Sequence, residues 1–177
     1  MATTQILFAG FGGQGILFSG KFLAYDGLLE DREVSWLPSY GPEMRGGTCN
    51  CSVILSDTKI GSPIVSNPNV FVAMNLPSLD KFEKSAVPGA KIFVDSSLID
   101  RKVNRDDVEV YYIPATKLAS DENLPGLANM IMIGHMIKHA GVMPYENVEK
   151  TMAKLVPAKK QNLIELNIKA VELGYNY

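Results

Sequence analysis

Four glycines fall within six residues near the start of the chain, in Gly10-Phe-Gly-Gly-Gln-Gly15. Residues 5–9, directly before them, form a short apolar run typical of a buried strand. Residues 14–29 carry apolar side chains on nearly every face, as in a helix that is covered on two sides. Because glycine lacks a Cβ atom, it allows a sharp turn and a close approach of a ligand to the backbone. The segment therefore predicts a strand, a tight turn and a helix, the first unit of an α/β sheet.

The rest of the chain alternates between short apolar runs and longer helical patterns. Runs rich in Val, Ile and Phe predict five further strands, at residues 33–37, 51–55, 70–74, 90–94 and 108–113. Helices are predicted at residues 77–86 and 116–121, and from residue 126 in three pieces separated by residues 141–144 and 156–157, with Gly174 as the last stop. We expect a single α/β domain over residues 1–177, with an open, largely parallel, Rossmann-like sheet, helices on both faces and a helical C-terminal third.

Composition narrows the function classes. The 177 residues include 17 Lys and Arg against 19 Asp and Glu, a net charge of −2, which argues against a strongly basic nucleic-acid-binding protein. The best candidate for a membrane segment, residues 127–142, is interrupted by two histidines and a lysine. Cys49 and Cys51 are too few for a disulfide framework, and the first residues lack a secretory signal pattern. These features predict a cytoplasmic protein that binds neither nucleic acid nor a membrane.

The glycine-rich loop is a candidate binding site for an anionic ligand. At the start of a helix, free backbone N–H groups and the positive end of the helix dipole favour phosphate. The side chain of Gln14 can donate and accept hydrogen bonds there without adding charge. The alternative is a tight turn that binds no ligand. The candidate residues are Gly10, Gly12, Gly13, Gln14 and Gly15.

The same loop lacks the partner that dinucleotide-binding proteins use. In those proteins an Asp or Glu at the end of the second strand holds the ribose hydroxyls. The acids available here, Glu30, Asp31 and Glu33, lie before or at the start of the second predicted strand. NAD is therefore disfavoured as the ligand.

A second glycine-containing loop, residues 39–48, follows the second predicted strand. Because the carboxyl ends of parallel strands share one edge of a sheet, we expect this loop to face the first. Arg45 is followed by two glycines, a setting that suits a guanidinium held toward a carboxylate or phosphate. In the alternative interpretation Arg45 pairs with Glu43 in an ordered surface loop. The candidate residues are Ser39, Tyr40, Gly41, Arg45 and Gly46.

Two polar residues, Asn75 and Asp95, come at the ends of predicted strands. This position makes both candidates to line the same cleft, and we retain Asn75 as a candidate binding residue. Asn and Asp at strand ends also commonly start turns, which is the alternative for both.

Other residue types capable of chemistry are expected to be structural. His135 and His139 stand four apart on one helix face, but the glutamate of a zinc-protease helix is missing between them. Cys49 and Cys51 are expected to be reduced and packed. The sequence contains no recognisable Ser-His-Asp set, nucleophile elbow or pair of catalytic carboxylates. We therefore predict no catalytic residue and no metal ligand in this chain.

Several of these segments together resemble a known family over nearly the whole chain. The Gly10–Gly15 loop, the Ser39-Tyr-Gly-Pro-Glu-Met-Arg-Gly-Gly47 loop, Asn129 within Ala-Asn-Met, and Asn167 with Ala170 are similar to the gamma subunit of 2-oxoacid:ferredoxin oxidoreductases. The second loop resembles the 2-oxoglutarate and 2-oxoisovalerate (branched-chain) types more than the pyruvate type.

The resemblance implies a subunit of an enzyme complex. Such a complex oxidatively decarboxylates a 2-oxoacid with coenzyme A and yields acyl-CoA, CO2 and reduced ferredoxin. Thiamine diphosphate and Mg2+ are then expected in the alpha and beta subunits and iron–sulfur clusters in a ferredoxin-like delta subunit. The gamma subunit would supply no catalytic residue, and its glycine-rich loop would bind the phosphate end of coenzyme A. The alternatives are an indolepyruvate oxidoreductase beta subunit, a stand-alone nucleotide-dependent oxidoreductase and a nucleotide-sensing module.

Overall fold

The computed structural model describes residues 3–39 and 48–177. Six strands within these residues form one sheet, and each overlaps an apolar run that predicted it. In chain order they are Thr3–Phe11 (β1), Glu33–Ser39 (β2), Thr48–Ser56 (β3), Val70–Ala73 (β4), Lys91–Asp95 (β5) and Glu109–Ile113 (β6).

The sheet is largely parallel, as predicted, with one reversed strand. Its order across the described residues is β2-β3-β1-β4-β5-β6, and β3 runs antiparallel to both of its neighbours while the other adjacent pairs are parallel. Residues 40–47, which join β2 to β3, are too few for the crossover of roughly a dozen residues that a parallel pair requires. All strands except β3 therefore end at the same edge of the sheet.

Helices cover both faces of the sheet, as the sequence predicts. In chain order, the α-helices of the described residues are Ile16–Leu29 (α1), Leu76–Phe82 (α2), Ala115–Asp121 (α3), Ala128–Ala140 (α4), Val148–Leu155 (α5) and Gln161–Tyr175 (α6). Successive residues of β1 point to opposite faces. Ile6 and Phe8 join the core beneath α1 and α3 to α6, whereas Leu7 and Ala9 join a smaller core that includes Leu79 of α2.

The first helix is covered on two sides, which explains its apolar composition. One side of α1 packs on β1, β2 and β3, and another contacts α4 and α5. Within the second contact, Asp26 is fully buried and its Oδ1 accepts a hydrogen bond of 2.9 Å from Nδ2 of Asn147. The helix thus links the sheet to the C-terminal helical layer.

Two glycines set the close approach of α4 and α6. A Cβ atom at Gly134 would overlap the carbonyl oxygen of Val171, and one at Gly174 would overlap the carbonyl oxygen of Ile131. The two helix backbones therefore touch at this crossing, and a side chain at either glycine would separate them. The sequence predicts Gly174 as a helix stop, but α6 continues to Tyr175 and Gly174 serves this contact instead.

The apolar stretch at residues 127–142 forms α4, which has 13 residues. At 1.5 Å of rise per residue such a helix is roughly 20 Å long, shorter than the roughly 30 Å hydrocarbon core of a bilayer. Across the described parts of the chain, no helix combines the length and the apolar character needed to cross a membrane.

Candidate functional site

The glycine-rich loop joins the carboxyl end of β1 to the start of α1. β1 ends at Phe11, and α1 begins at Ile16 with Gly15 as its N-cap residue. Gly13 (φ 91°) and Gly15 (φ 73°) both adopt the left-handed conformation that favours glycine. The first N–H groups of an α-helix have no partner within the helix, and no acidic side chain lies in the first turn of α1. The loop thus has the strand–turn–helix geometry that the sequence predicts.

The glycines of this loop serve different purposes. A Cβ atom at Gly10 would lie 2.8 Å from Cδ1 of Ile16 and 2.9 Å from Cβ of Met74, and one at Gly15 would overlap the side chain of Asn129. A Cβ atom at Gly13, in contrast, would meet nothing within 4 Å among the described residues. Gly10 and Gly15 are therefore required by packing, whereas Gly13 leaves open space beside the backbone.

Gln14, predicted as a ligand contact, uses its side chain to hold the loop. Its Oε1 accepts a hydrogen bond of 2.7 Å from the backbone N–H of Phe11, and its Nε2 donates one of 3.0 Å to the carbonyl oxygen of Met74. These bonds close the turn on itself and tie it to the end of β4. The observed role of Gln14 is thus to fix the loop between two neighbouring strands.

A cleft of about 330 Å³ opens beside the loop at the carboxyl edge of the sheet. Gly13, Gln14 and Met74 form one side of it. The other side comes from the turn after β5, from α3 and from the segment that leads into α4, and it includes Leu98, Thr116, Ala119, Ser120, Pro125, Gly126 and Ala128. None of these described lining residues is charged, so the backbone N–H groups and the helix dipole are the features that favour an anion there.

The two polar residues at strand ends act as caps. Asn75 is the N-cap residue of α2, is 1% exposed, and accepts a hydrogen bond of 2.8 Å from the N–H of Ser78. Both carboxylate oxygens of the buried Asp95 accept hydrogen bonds, Oδ1 from the N–H of Ser97 (3.0 Å) and Oδ2 from the hydroxyl of Thr116 (2.6 Å). Neither side chain lines the cleft, because each is used to start the segment that follows its strand.

Most of the second predicted loop lies outside the described residues, including Tyr40, Gly41, Arg45 and Gly46. The residues that flank it lie at the same edge of the sheet as the glycine-rich loop, since Ser39 ends β2 and Thr48 pairs with Phe11. Ser39 itself is not part of the cleft. It lies on the edge strand, two strand spacings or roughly 10 Å from β1, and lines a separate hollow with Leu37 and Ile64.

A family model described as pyruvate ferredoxin/flavodoxin oxidoreductase matches residues 5–177. The chain belongs to this family. The resemblance to gamma subunits of 2-oxoacid:ferredoxin oxidoreductases that the two loops indicate is thereby confirmed, and the relatives below carry corresponding names.

Two relatives illustrate the range of this oxidoreductase family. The chain is 36% identical over 170 residues to the ketoisovalerate oxidoreductase subunit VorA of Methanothermobacter thermautotrophicus, covering 96% of this chain and 35% of that protein. It is 35% identical over 174 residues to the 2-oxoglutarate synthase subunit KorC of Methanocaldococcus jannaschii, covering 97% of this chain and 91% of that protein. The chain thus spans about a third of the first relative and nearly all of the second.

Solved structures in the family share the fold. The gamma subunit of a keto/oxoacid ferredoxin oxidoreductase from Geobacter sulfurreducens superposes with a TM-score of 0.83 at 27% identity, covering 98% of this chain and 96% of that one. The 2-oxoglutarate:ferredoxin oxidoreductase from Magnetococcus marinus, solved with 2-oxoglutarate, coenzyme A and succinyl-CoA bound, gives a TM-score of 0.80 at 21% identity and covers 99% of this chain and 31% of that one. The expected α/β architecture is therefore that of the family's gamma subunits.

The two cysteines of this oxidoreductase-family chain are free and buried in the core, as expected. Sγ of Cys51 donates to the carbonyl oxygen of Ile16 at 3.4 Å. Burial raises the pKa of the Cys51 thiol to about 12, and it also raises the pKa of Cys49. Both thiols therefore stay protonated and unreactive at neutral pH.

The histidine pair belongs to an aromatic cluster between α4 and the sheet. His139 stacks on Tyr111 with 4.5 Å between ring centroids, and the ring of His135 meets Phe93 edge-on at 6.0 Å. Burial lowers the pKa of His135 to about 4, so this ring is neutral at pH 7. Across the described ranges, no group of three or more His, Cys, Asp or Glu side chains is arranged to hold a metal ion.

Several cleft residues of this family member were not predicted from the sequence. Leu98 and Thr116 come within three residues of the ends of β5 and β6. Asn75 was selected because it directly follows a predicted strand, and a search that included the next few residues would have found both. Gly126 and Ser120 carry no comparable signal, because their position depends on how α3 and α4 pack above the sheet edge.

Proposed function

We propose that this chain is the gamma subunit of a 2-oxoacid:ferredoxin oxidoreductase. The complex converts a 2-oxoacid, coenzyme A and oxidised ferredoxin into acyl-CoA, CO2 and reduced ferredoxin, with release of a proton. Its partners are the alpha, beta and delta subunits, in the cytoplasm, and thiamine diphosphate, Mg2+ and iron–sulfur clusters belong to those partners. Family membership over residues 5–177 and the gamma subunit among the solved relatives support this assignment.

The contribution of this chain is to bind part of coenzyme A at the glycine-rich loop. The observation that carries this proposal is the open space beside Gly13, immediately before a helix start that has no acidic side chain in its first turn. Backbone N–H groups and the positive end of the dipole of α1 suit a phosphate there. A related oxidoreductase of the same fold has been solved with coenzyme A bound, which supports this choice of ligand.

The cleft suits a portion of coenzyme A. Coenzyme A combines phosphates with an uncharged pantetheine arm, and the cleft combines the loop with apolar walls from Met74, Leu98 and Ala119. A volume of about 330 Å³ is at the small end of ligand-binding pockets, so the rest of the molecule extends beyond this chain toward the partner subunits. In this proposal Gly12 and the 40–47 loop complete the same site, and Gln14 lines it while its side chain holds the glycine-rich loop.

We further propose that the 2-oxoacid is 2-oxoglutarate or 2-oxoisovalerate. The second loop resembles those of these types more than that of the pyruvate type. The relatives at 36% and 35% identity, a ketoisovalerate oxidoreductase subunit and a 2-oxoglutarate synthase subunit, support the same choice.

Replacing Gly13 with alanine tests the coenzyme A proposal in the assembled complex. Gly89 provides a matched control, because it has a similar positive φ of 80°, also has nothing within 4 Å of an added Cβ among the described residues, and precedes β5 at the opposite edge of the sheet. Both variants carry a backbone penalty of about 1 kcal/mol. We expect Gly13→Ala to raise the KM for coenzyme A by about tenfold with kcat nearly unchanged, and Gly89→Ala to leave both constants unchanged.

The measurements are steady-state reduction of a viologen dye and calorimetric titration of coenzyme A into the complex without 2-oxoacid. Equal coenzyme A constants for wild type and Gly13→Ala would show that the loop does not bind this ligand. Anaerobic purification of the tagged chain from its host tests the assembly itself. A brown complex active on a 2-oxoacid supports the proposal, whereas a colourless lone chain that binds a dinucleotide overturns it.

A further inference from the structure

We infer that Asn129, the second residue of α4, is a positioning residue that holds the glycine-rich loop in its ligand-binding conformation. This inference rests on the function proposed above. Asn129 is far from the loop in sequence, is 5% exposed, and occupies the space into which a side chain at Gly15 would point.

The carbonyl oxygen of Gly15 accepts hydrogen bonds from both Asn129 and Ser19. Nδ2 of Asn129 donates to this oxygen at 3.2 Å and to the hydroxyl of Ser19 at 3.2 Å. Ser19 in turn donates to the same carbonyl oxygen through its hydroxyl at 2.9 Å and through its backbone N–H at 3.0 Å. Three donors therefore fix one carbonyl group at the first turn of α1.

Fixing this carbonyl also fixes the N–H group of the next residue. The peptide between Gly15 and Ile16 is planar and trans, so its C=O and N–H point in opposite directions. Because the carbonyl is held along α1, the N–H of Ile16 must point out of the helix start. That N–H is one of the donors that the proposed phosphate site requires. Asn129 thus acts on the ligand through the backbone of Gly15 and Ile16.

The side-chain oxygen of Asn129 indicates that the residue is not there for stability alone. Oδ1 is buried and has no hydrogen-bond partner within the described residues. Reversing the carboxamide would bring Oδ1 against the carbonyl oxygen of Gly15, a second acceptor 3.2 Å away, so Nδ2 is the atom that faces Gly15. A buried acceptor without a partner opposes folding. Asn129 therefore leaves Oδ1 without a partner while Nδ2 donates to the carbonyl oxygen of Gly15.

Asn129→Ala in the assembled complex tests the inference, with Asn167→Ala as the matched control. Asn167 is a similarly buried asparagine, but its Nδ2 donates to the carbonyl oxygen of Leu163 within its own helix at 2.7 Å. We expect Asn129→Ala to raise the dissociation constant of coenzyme A by about tenfold, with kcat and the KM for the 2-oxoacid within about twofold of wild type. Asn167→Ala should leave the coenzyme A constant unchanged, even where it lowers the melting temperature.

A second variant and a direct probe of the backbone complete the test. Asn129→Asp keeps the side-chain volume, so it can be used if the alanine variant does not assemble. It should weaken the binding of coenzyme A at least as much as Asn129→Ala does. Coenzyme A should slow amide hydrogen exchange at Ile16 in the wild-type complex, and should slow it less in either Asn129 variant. If the Asn129 variants bind coenzyme A normally while Gly13→Ala binds it weakly, the positioning role is wrong and the proposed function stands. If Gly13→Ala also binds it normally, the proposed role of the loop in binding coenzyme A is wrong.

Discussion

Glycines are essential in two regions of this molecule, and the space around them differs. At the crossing of α4 and α6, a Cβ atom at Gly134 or Gly174 would overlap the backbone of the opposite helix. In the glycine-rich loop, Gly10 and Gly15 are also enclosed by neighbouring side chains, but Gly13 borders open space. A glycine-rich sequence therefore does not by itself identify a ligand site. In this loop we expect Gly13 to matter for a ligand, because it borders open space directly before the start of a helix.

This comparison separates two kinds of effect. Changes at the crossing of α4 and α6 should alter the stability of the chain and leave its affinity for coenzyme A unchanged, because the space there is filled by protein atoms. Changes at the open part of the loop should alter affinity more than stability. A substitution in one region that changed both stability and coenzyme A affinity would show that the two regions are coupled through α1.

The largest effect is expected from Gly174→Ala. The added methyl group would overlap the carbonyl oxygen of Ile131 and lie 2.7 Å from its carbonyl carbon, so α6 must move away from α4. We expect the free energy of unfolding to fall by about 3 kcal/mol or more, measured by chemical denaturation. Gly61→Ala, where nothing lies within 4 Å among the described residues, should change it by less than about 0.5 kcal/mol. A Gly174→Ala protein as stable as wild type would mean that the two backbones do not touch.

The buried carboxyl group of Asp26 should give the next effect, as a dependence of stability on pH. Burial in the contact between α1 and α5 raises the pKa of Asp26 from 3.8 to about 7, and the neighbouring Glu30 also raises it, while hydrogen bonds from Asn147 and Thr151 act in the opposite direction. The folded chain therefore keeps a proton that the unfolded chain releases above about pH 4. Stability should fall as the pH rises from about 4 to 7 and then level off.

Asp26→Asn tests this expectation because it keeps the shape of the side chain and removes the charge. We expect the variant to lose most of this pH dependence and to be more stable than wild type at pH 8 by about 2 kcal/mol. Denaturant unfolding at several pH values measures both effects. An unchanged slope in the variant would assign the pH dependence to another group. Altered coenzyme A affinity in the assembled complex would contradict the separation of the two regions.

Much of the architecture was predictable, because each strand is a short apolar run and the breaks after α4 and α5 fall at Gly141 and Pro157. The reversed β3 was not predicted, although the short connection at residues 40–47 was visible in the sequence. The close contact of Gly134 with α6 was also missed, because it depends on which helices meet and not on a local pattern.

The site was predicted less completely than the fold. The position of the glycine-rich loop was predicted correctly, and Asn75 starts the segment after its strand, as its alternative interpretation expected. The backbone partner of the Gln14 amide was not predicted, because a polar residue type does not show whether its side chain contacts a ligand or the backbone. The role of Asn129 depends on a contact across 114 residues, which no local pattern reveals.

The smallest effect is expected at Gln14, which belongs to the open loop but whose side chain makes hydrogen bonds within the protein. It was predicted as a ligand contact, yet its Oε1 and Nε2 bond to Phe11 and Met74. We expect Gln14→Ala to lower the free energy of unfolding by about 1 kcal/mol and to raise the dissociation constant of coenzyme A by less than about threefold. Asn75→Ala, which removes the cap of α2, should cost a similar amount of stability and leave coenzyme A unaffected. If Gln14→Ala instead weakens coenzyme A tenfold without loss of stability, its side chain leaves Met74 to bind the ligand, and the open part of the site extends beyond Gly13.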